Sequence, residues 1–186
     1  MTGPAPKGEP PMGLVPEAST PEASLSGAPT IDVKVRFLPC EGDPYGCGQG
    51  ACDLAYGTPF SAGLDLRACL KAEEIVLQPG DRFPVPSGIA IEACAPGVAG
   101  FVFSRSGLGA KDGVTVSQGV GVIDPDYRGE IIVSLLNTSK ECKTIRRGQR
   151  IAQLLFLPFF RANVIVADEL SDTARGAGGF GHTGRM

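Results

Sequence analysis

From Ile31 onward, apolar and polar side chains trade places one for one: Ile31, Val33, Val35 and Phe37 are separated by Asp32, Lys34 and Arg36. A period of two puts the apolar set on one face of an extended chain, which predicts a strand with one buried face. Short apolar or alternating runs recur at residues 74–77, 88–92, 98–103, 113–116, 129–136, 151–156 and 163–166. Turn-forming clusters stand between them, among them Gln78-Pro79-Gly80-Asp81, Ala95-Pro96-Gly97, Asp124-Pro125-Asp126 and Arg147-Gly148-Gln149. Only residues 106–111 suggest a helix, of a turn or two, because nowhere does a 3.6-residue apolar period last three turns. Many short strands joined by Gly/Pro turns predict an all-β domain, a barrel or a sandwich.

The two ends break this pattern. Residues 1–30 hold seven of the 16 prolines and no aromatic side chain. Such a segment has too little apolar surface to offset its ordering entropy, and it is expected to be a disordered tail. Residues 175–186 are dominated by glycine, with one aromatic, and should be mobile in isolation. The ordered domain is therefore placed at residues 31–174.

Composition narrows the function more than the fold. With 186 residues, 42% hydrophobic and 20% charged, the chain suits one globular domain with a real core. A formal net charge of −3 argues against a broad nucleic-acid-binding surface, so an anionic substrate would need locally placed donors. No apolar run nears the ~20 residues of a membrane span. The N-terminus has neither a signal-peptide pattern nor an Arg-rich transit pattern. The expected location is intracellular, cytoplasmic or nuclear, with no membrane and no nucleic-acid partner. The six cysteines are Cys40, Cys47, Cys52, Cys69, Cys94 and Cys142. The C-x6-C-x4-C spacing of the first three is not that of a structural zinc site. In a reducing compartment the six are expected to be small apolar fillers and free loop thiols.

Three glycine patterns bear on phosphate binding. Gly176, Gly178 and Gly181 spell G-x-G-x-x-G, and Gly176 to Thr183 comes near a P-loop, with His182 where lysine would stand. Both motifs need a following helix to meet the phosphates, and five residues after Gly181 leave no room for one. What survives is a loop of N–H donors able to fold over a polyphosphate, with Phe180 offering a face to a base. The second pattern, Ser104-Arg105-Ser106-Gly107-Leu108-Gly109, follows an apolar strand. A short turn there aims backbone N–H groups outward, beside the Arg105 fork and the Ser106 hydroxyl. The third runs from Gly119 to Gly129, where glycines let a flat ligand approach the backbone and Asp124, before a proline, displays its carboxylate.

Taken with Ala62-Gly63-Leu64-Asp65-Leu66 and Gly148-Gln149-Arg150-Ile151-Ala152-Gln153-Leu154, these segments resemble, in order and spacing, the five motifs of the trimeric dUTP diphosphatases (dUTPases). The resemblance covers roughly residues 33–184. It implies a jelly-roll-like β-barrel with a flexible C-terminal arm, assembled as a homotrimer. It also implies Mg²⁺-assisted hydrolysis of dUTP to dUMP and pyrophosphate, supplying dUMP for thymidylate synthesis and keeping uracil out of DNA. Asp124 would bind the sugar 3′-hydroxyl and orient or deprotonate the attacking water, and Tyr127 would lie beneath the deoxyribose. The backbone around Gln118, Gly121, Val122 and Ile123 would read uracil. Arg105, Ser106, Gly107 and Gln153 would hold the phosphates, with Asp65 organising the site beside the hydrated metal. Arg175, Phe180, Gly181 and Thr183 would close as a lid. Mg²⁺ would be held by phosphates and water, with no direct protein ligand. The chain departs from the family pattern at Ser104, where proline is usual, at Gln118, where some members have Asn, and in the long stretch 39–60. Two alternatives stand beside this reading: a dCTP deaminase-like enzyme of the same fold, and a catalytically idle relative that recruits protein partners.

Overall fold

The alternation beginning at Ile31 does form a strand, β1 (Val33–Phe37), half-buried at every second residue. It is followed by β2 (Leu64–Arg67), β3 (Glu74–Leu77), β4 (Arg82–Pro86), β5 (Ile89–Ala93) and β6 (Val98–Ser104). The series ends with β7 (Val114–Val116), β8 (Val120–Ile123), β9 (Ile132–Asn137), β10 (Lys143–Arg146) and β11 (Arg150–Pro158). This is a computed structural model, describing residues 29–49 and 53–179. The expected tail 1–30 lies almost wholly outside the described residues. All pairings are antiparallel, in sheets ordered β1-β5, β10-β3, β2-β11-β6-β8 and β4-β9-β7. The all-β expectation holds, but the ladders do not join into a closed ring among the described residues. Leu66, Ile89, Leu135, Ile151 and Leu154 meet in one buried core between the sheets. The predicted helical turn is present at Gly107–Lys111, entered through a Gly109 N–H bond to the Arg105 carbonyl.

Four strands, β2, β4, β8 and β10, fall outside the predicted runs, two of them for identifiable reasons. β4 contains Pro84 and Pro86, which argue against a strand in sequence. It lies at the edge of its sheet, pairing only with β9, so a missing N–H is tolerated there. β10 is short and charged, with Ile145 its one buried side chain. Conversely, the strand expected at 163–166 does not form. Val164, Ile165 and Val166 are 82%, 79% and 93% exposed and pair with no strand among the described residues.

The cysteine reading needs correcting. Cys40 and Cys69 form a disulfide across 29 residues, and Cys47 is disulfide-bonded too, whereas Cys94 and Cys142 are free and exposed. Local spacing could not show this pairing, because the fold brings the ends of β1 and β2 together beside Gly88. A Cβ on Gly88 (φ +73) would stand 3.2 Å from both Cβ and Sγ of Cys69. The long stretch 39–60 also docks through Tyr45, which is buried and packs edge-on against Phe37. Its hydroxyl donates to the Ser87 carbonyl and accepts from Arg67 N–H, both at 2.9 Å. Burial pushes the Tyr45 phenol up to about 12. The unfolded chain ionises first, so stability is full below about pH 10 and is lost as pH rises toward that folded value. Cys40→Ser should cost about 3–4 kcal/mol, the chain-entropy value for so long a loop. Urea unfolding of variant and parent side by side checks this, and an unchanged midpoint would refute it.

Candidate active site

The central position of β11 in its sheet builds the first half of the site. Gln153 on β11 lies opposite Asp65 on β2 and opposite Phe103 on β6, so it stands between two strand ends. Gln153 Nε2 donates to the Ser104 carbonyl at 3.1 Å, fixing the point where β6 turns into Arg105, Ser106 and Gly107. Ser104 Oγ accepts the Val116 N–H at 2.8 Å. The departure from proline at position 104 thus adds an acceptor that ties β6 to β7. Gly63 is a glycine because β11 passes close: a Cβ there would be 2.8 Å from Leu155 Cδ1 and 3.0 Å from Gln153 Cβ.

Asp65 is 8% exposed and holds two guanidinium groups, Arg105 Nε on Oδ1 at 2.8 Å and Arg150 Nη1 on Oδ2 at 3.1 Å. One carboxylate between two cations leaves a local surplus of positive charge. It also directs the remaining nitrogens of the Arg105 fork away from itself, where a phosphate can take them. Sequence reasoning missed Arg150. Three positions apart on a regular strand, Arg150 and Gln153 would face opposite sides. A β-bulge between Arg150 and Ala152 shifts the register and brings Arg150 to the face of Asp65. Asp65, Arg105, Ser106, Gly107 and Gln153 line one cavity of about 340 Å³ with Gly57, Ser61 and Gly63.

The second half lies along β8, which pairs with β6 through Gly121 and Val102. A Cβ on Gly121 would press Val102 Cβ at 3.3 Å and Gln118 Nε2 at 3.4 Å, so the missing side chain keeps this backbone open. Asp124 ends the hairpin exposed, its carbonyl accepting Tyr127 N–H at 3.0 Å to close the turn over Pro125 and Asp126. Arg128 Nη1 donates to the Pro125 carbonyl at 2.6 Å, bracing the same turn. The Tyr127 hydroxyl donates to the Glu130 carbonyl at 2.9 Å, and a Cβ at Gly129 would collide with that hydroxyl. Gln118, Gly121, Val122, Ile123, Asp124 and Tyr127 line a cavity of about 240 Å³.

The sequence-predicted residues that are described therefore fall mainly into two groups within the chain. The two cavities share no lining residue. Arg175 lies apart from both, in the exposed stretch after β11, and Phe180, Gly181 and Thr183 lie outside the described residues. Among the described residues no cluster of three or more His, Cys, Asp or Glu could hold a metal ion.

Residues 51–184 match the sequence model of the dUTPase family. A deoxyuridine 5′-triphosphate nucleotidohydrolase of Desulfitobacterium hafniense is 50% identical over 129 residues, 69% of this chain and 85% of the relative. A variant dUTPase of Staphylococcus bacteriophage 80alpha, solved with dUpNHpp, superposes with a TM-score of 0.68 at 22% identity, over 83% of this chain and 99% of that one. A variant dUTPase from phage phi11 of S. aureus, whose structure describes the coordination of a structural Mg(II) ion, gives 0.61 at 20% identity over 76% and 99%. On the extent of the family match and on half-identity across most of its length, the chain belongs to the dUTPase family.

Proposed function

We propose that the chain hydrolyses dUTP to dUMP and pyrophosphate, by attack of water on the α-phosphate, in active sites assembled between subunits of a homotrimer. The observation that carries this reading is the pairing of a narrow cavity floored by open backbone, suited to a flat base and a sugar, with a separate Arg-lined cavity suited to a polyphosphate. Neither cavity is a complete nucleotide site. The apolar stretch after β11, with Phe160 98% and Leu170 90% exposed, asks for cover from another copy.

Arg105, Ser106 and Gly107 hold the phosphates, and Gln153 fixes their strand end. Asp65 orients both arginines, with Arg150 joining the set. Backbone from Gln118 to Ile123 reads uracil, Tyr127 lies under the deoxyribose, and Asp124 takes the proton of the attacking water. Arg175, Phe180, Gly181 and Thr183 close over the site. Both Asp65 oxygens are engaged by arginines, so the residues present fit Mg²⁺ carried by the substrate phosphates and water, with Asp65 accepting from that water. When bound, it neutralises charge on the triphosphate. We place the protein inside the cell, in cytoplasm or nucleus, where its substrate is made. Among the described residues no helix is long and apolar enough to cross a membrane.

Pyrophosphate release measured with dUTP, dTTP, UTP and dCTP side by side tests the proposal. Release from dUTP alone is expected, whereas ammonia from dCTP would move the chain to the deaminase reading. Tyr127→Ala should raise activity on UTP relative to dUTP, because the ring sits where a 2′-hydroxyl would have to fit. A flat ratio would leave Tyr127 a packing residue.

A further inference from the structure

We propose that Glu130 is a positioning residue, tying the sugar floor Tyr127 to the Ser87–Gly88 turn and so setting discrimination against ribonucleotides. The inference rests on the assignment of Tyr127 as that floor. Glu130 is the residue common to the 240 Å³ cavity and a larger one of about 990 Å³, walled by Cys40, Cys69 and their neighbours. Its two ends do different things. The carbonyl accepts the Tyr127 hydroxyl at 2.9 Å, and carboxylate Oε1 accepts Gly88 N–H at 2.8 Å. A carboxylate acceptor in a half-buried place makes the second bond the stronger of the two.

The turn that Glu130 grips is itself fixed on its other sides. The Ser87 carbonyl takes the Tyr45 hydroxyl, Ser87 N–H donates to the Ile131 carbonyl, and Gly88 packs against the Cys40–Cys69 disulfide. Glu130 thus anchors the hairpin end at residues 124–129 to the turn beside the Cys40–Cys69 disulfide. Without that grip, Gly88 N–H is left unsatisfied, and Glu130 is restrained only through its neighbour Ile131, whose N–H donates to the Ile89 carbonyl at 2.9 Å. Tyr127 would then lose the fixed acceptor that holds its ring, and a displacement of an ångström at a positioning group is enough to alter rate and selectivity.

The test is the ratio of kcat/KM for UTP to that for dUTP, measured with the full chain alongside its melting temperature. Glu130→Ala removes the carboxylate, and Glu130→Asp keeps the charge but falls one methylene short of Gly88. Both should raise the ratio about tenfold. Glu130→Gln retains an oxygen at the same reach and should keep the ratio within about twofold of the parent. If alanine does not fold, the aspartate and glutamine pair decides. A lowered melting temperature with an unchanged ratio would make Glu130 purely structural and overturn the proposal. So would glutamine behaving like aspartate. A flat ratio in Tyr127→Ala counts against the sugar-floor reading, whereas a raised ratio there with flat Glu130 variants counts against Glu130 alone.

Discussion

Asp124→Asn should cut pyrophosphate release by about 10²–10⁴-fold while nucleotide binding stays nearly intact. The amide is isosteric and can still hydrogen-bond a sugar hydroxyl, but it cannot take a proton from water. The position suits the role. Asp124 is exposed at the end of β8, in a turn fixed by its own carbonyl to Tyr127 N–H and braced by Arg128, so its carboxylate is displayed into the narrow cavity. The chain has one histidine, His182, outside the described residues. That leaves a carboxylate as the natural base. The neighbouring carboxylate, Asp126, is also exposed but does not line the cavity. Calorimetric binding of a non-hydrolysable dUTP analogue, beside initial rates, checks the two halves of the prediction. Unimpaired turnover would transfer the base to Asp126, and lost binding would make Asp124 a recognition residue only.

Much of the framework was legible because strands announce themselves when one face is buried. β1, β3 and β6 lie where alternation or apolar runs placed them, and the Gly107–Lys111 turn sits where the lone helical signal stood. What was hidden is of another kind. β4 is a strand despite two prolines because it lies on an edge, and edge status is a property of the sheet, not of the segment. Arg150 reaches Asp65 because one extra residue in β11 reverses the side-chain alternation, and nothing local in the sequence marks a bulge there. The Cys40–Cys69 bond follows from where two strands end in space. The run at 163–166 has the apolar content of a strand but pairs with no strand among the described residues. In each case the missing information is which backbone lies alongside, and short-range periodicity carries none of it.

The same gap makes the assembly testable. In the proposed trimer each site takes Asp65, Arg105, Ser106 and Gln153 from one subunit, Asp124 and Tyr127 from a second, and the 175–184 tail from a third. The geometry of the single chain fits that division, since the cavity lined by Asp65 and Arg105 and the cavity lined by Asp124 and Tyr127 have no residue in common. A glycine-rich tether after an exposed apolar stretch is suited to reaching a neighbour, because its backbone adopts many conformations at little steric cost. Consider two variants, Asp124→Asn with its tail intact, and the parent Asp124 truncated after Asp172. The truncation keeps Phe160, Val166 and Leu170, the apolar contacts that another copy would cover, so assembly should survive it. Each homotrimer alone should be nearly inactive. Cyclic symmetry makes the three sites equivalent, so equal amounts reassembled at random should restore roughly a quarter of sites, two independent draws of one half. If one subunit supplied both Asp124 and the tail to a site, every site would lack one or the other and no mixing ratio could restore activity. Subunit exchange is verified by mass, and pyrophosphate release is followed as the mixing ratio is varied. Recovery that peaks at equal amounts supports the shared site, and an inactive mixture with exchange complete rules it out.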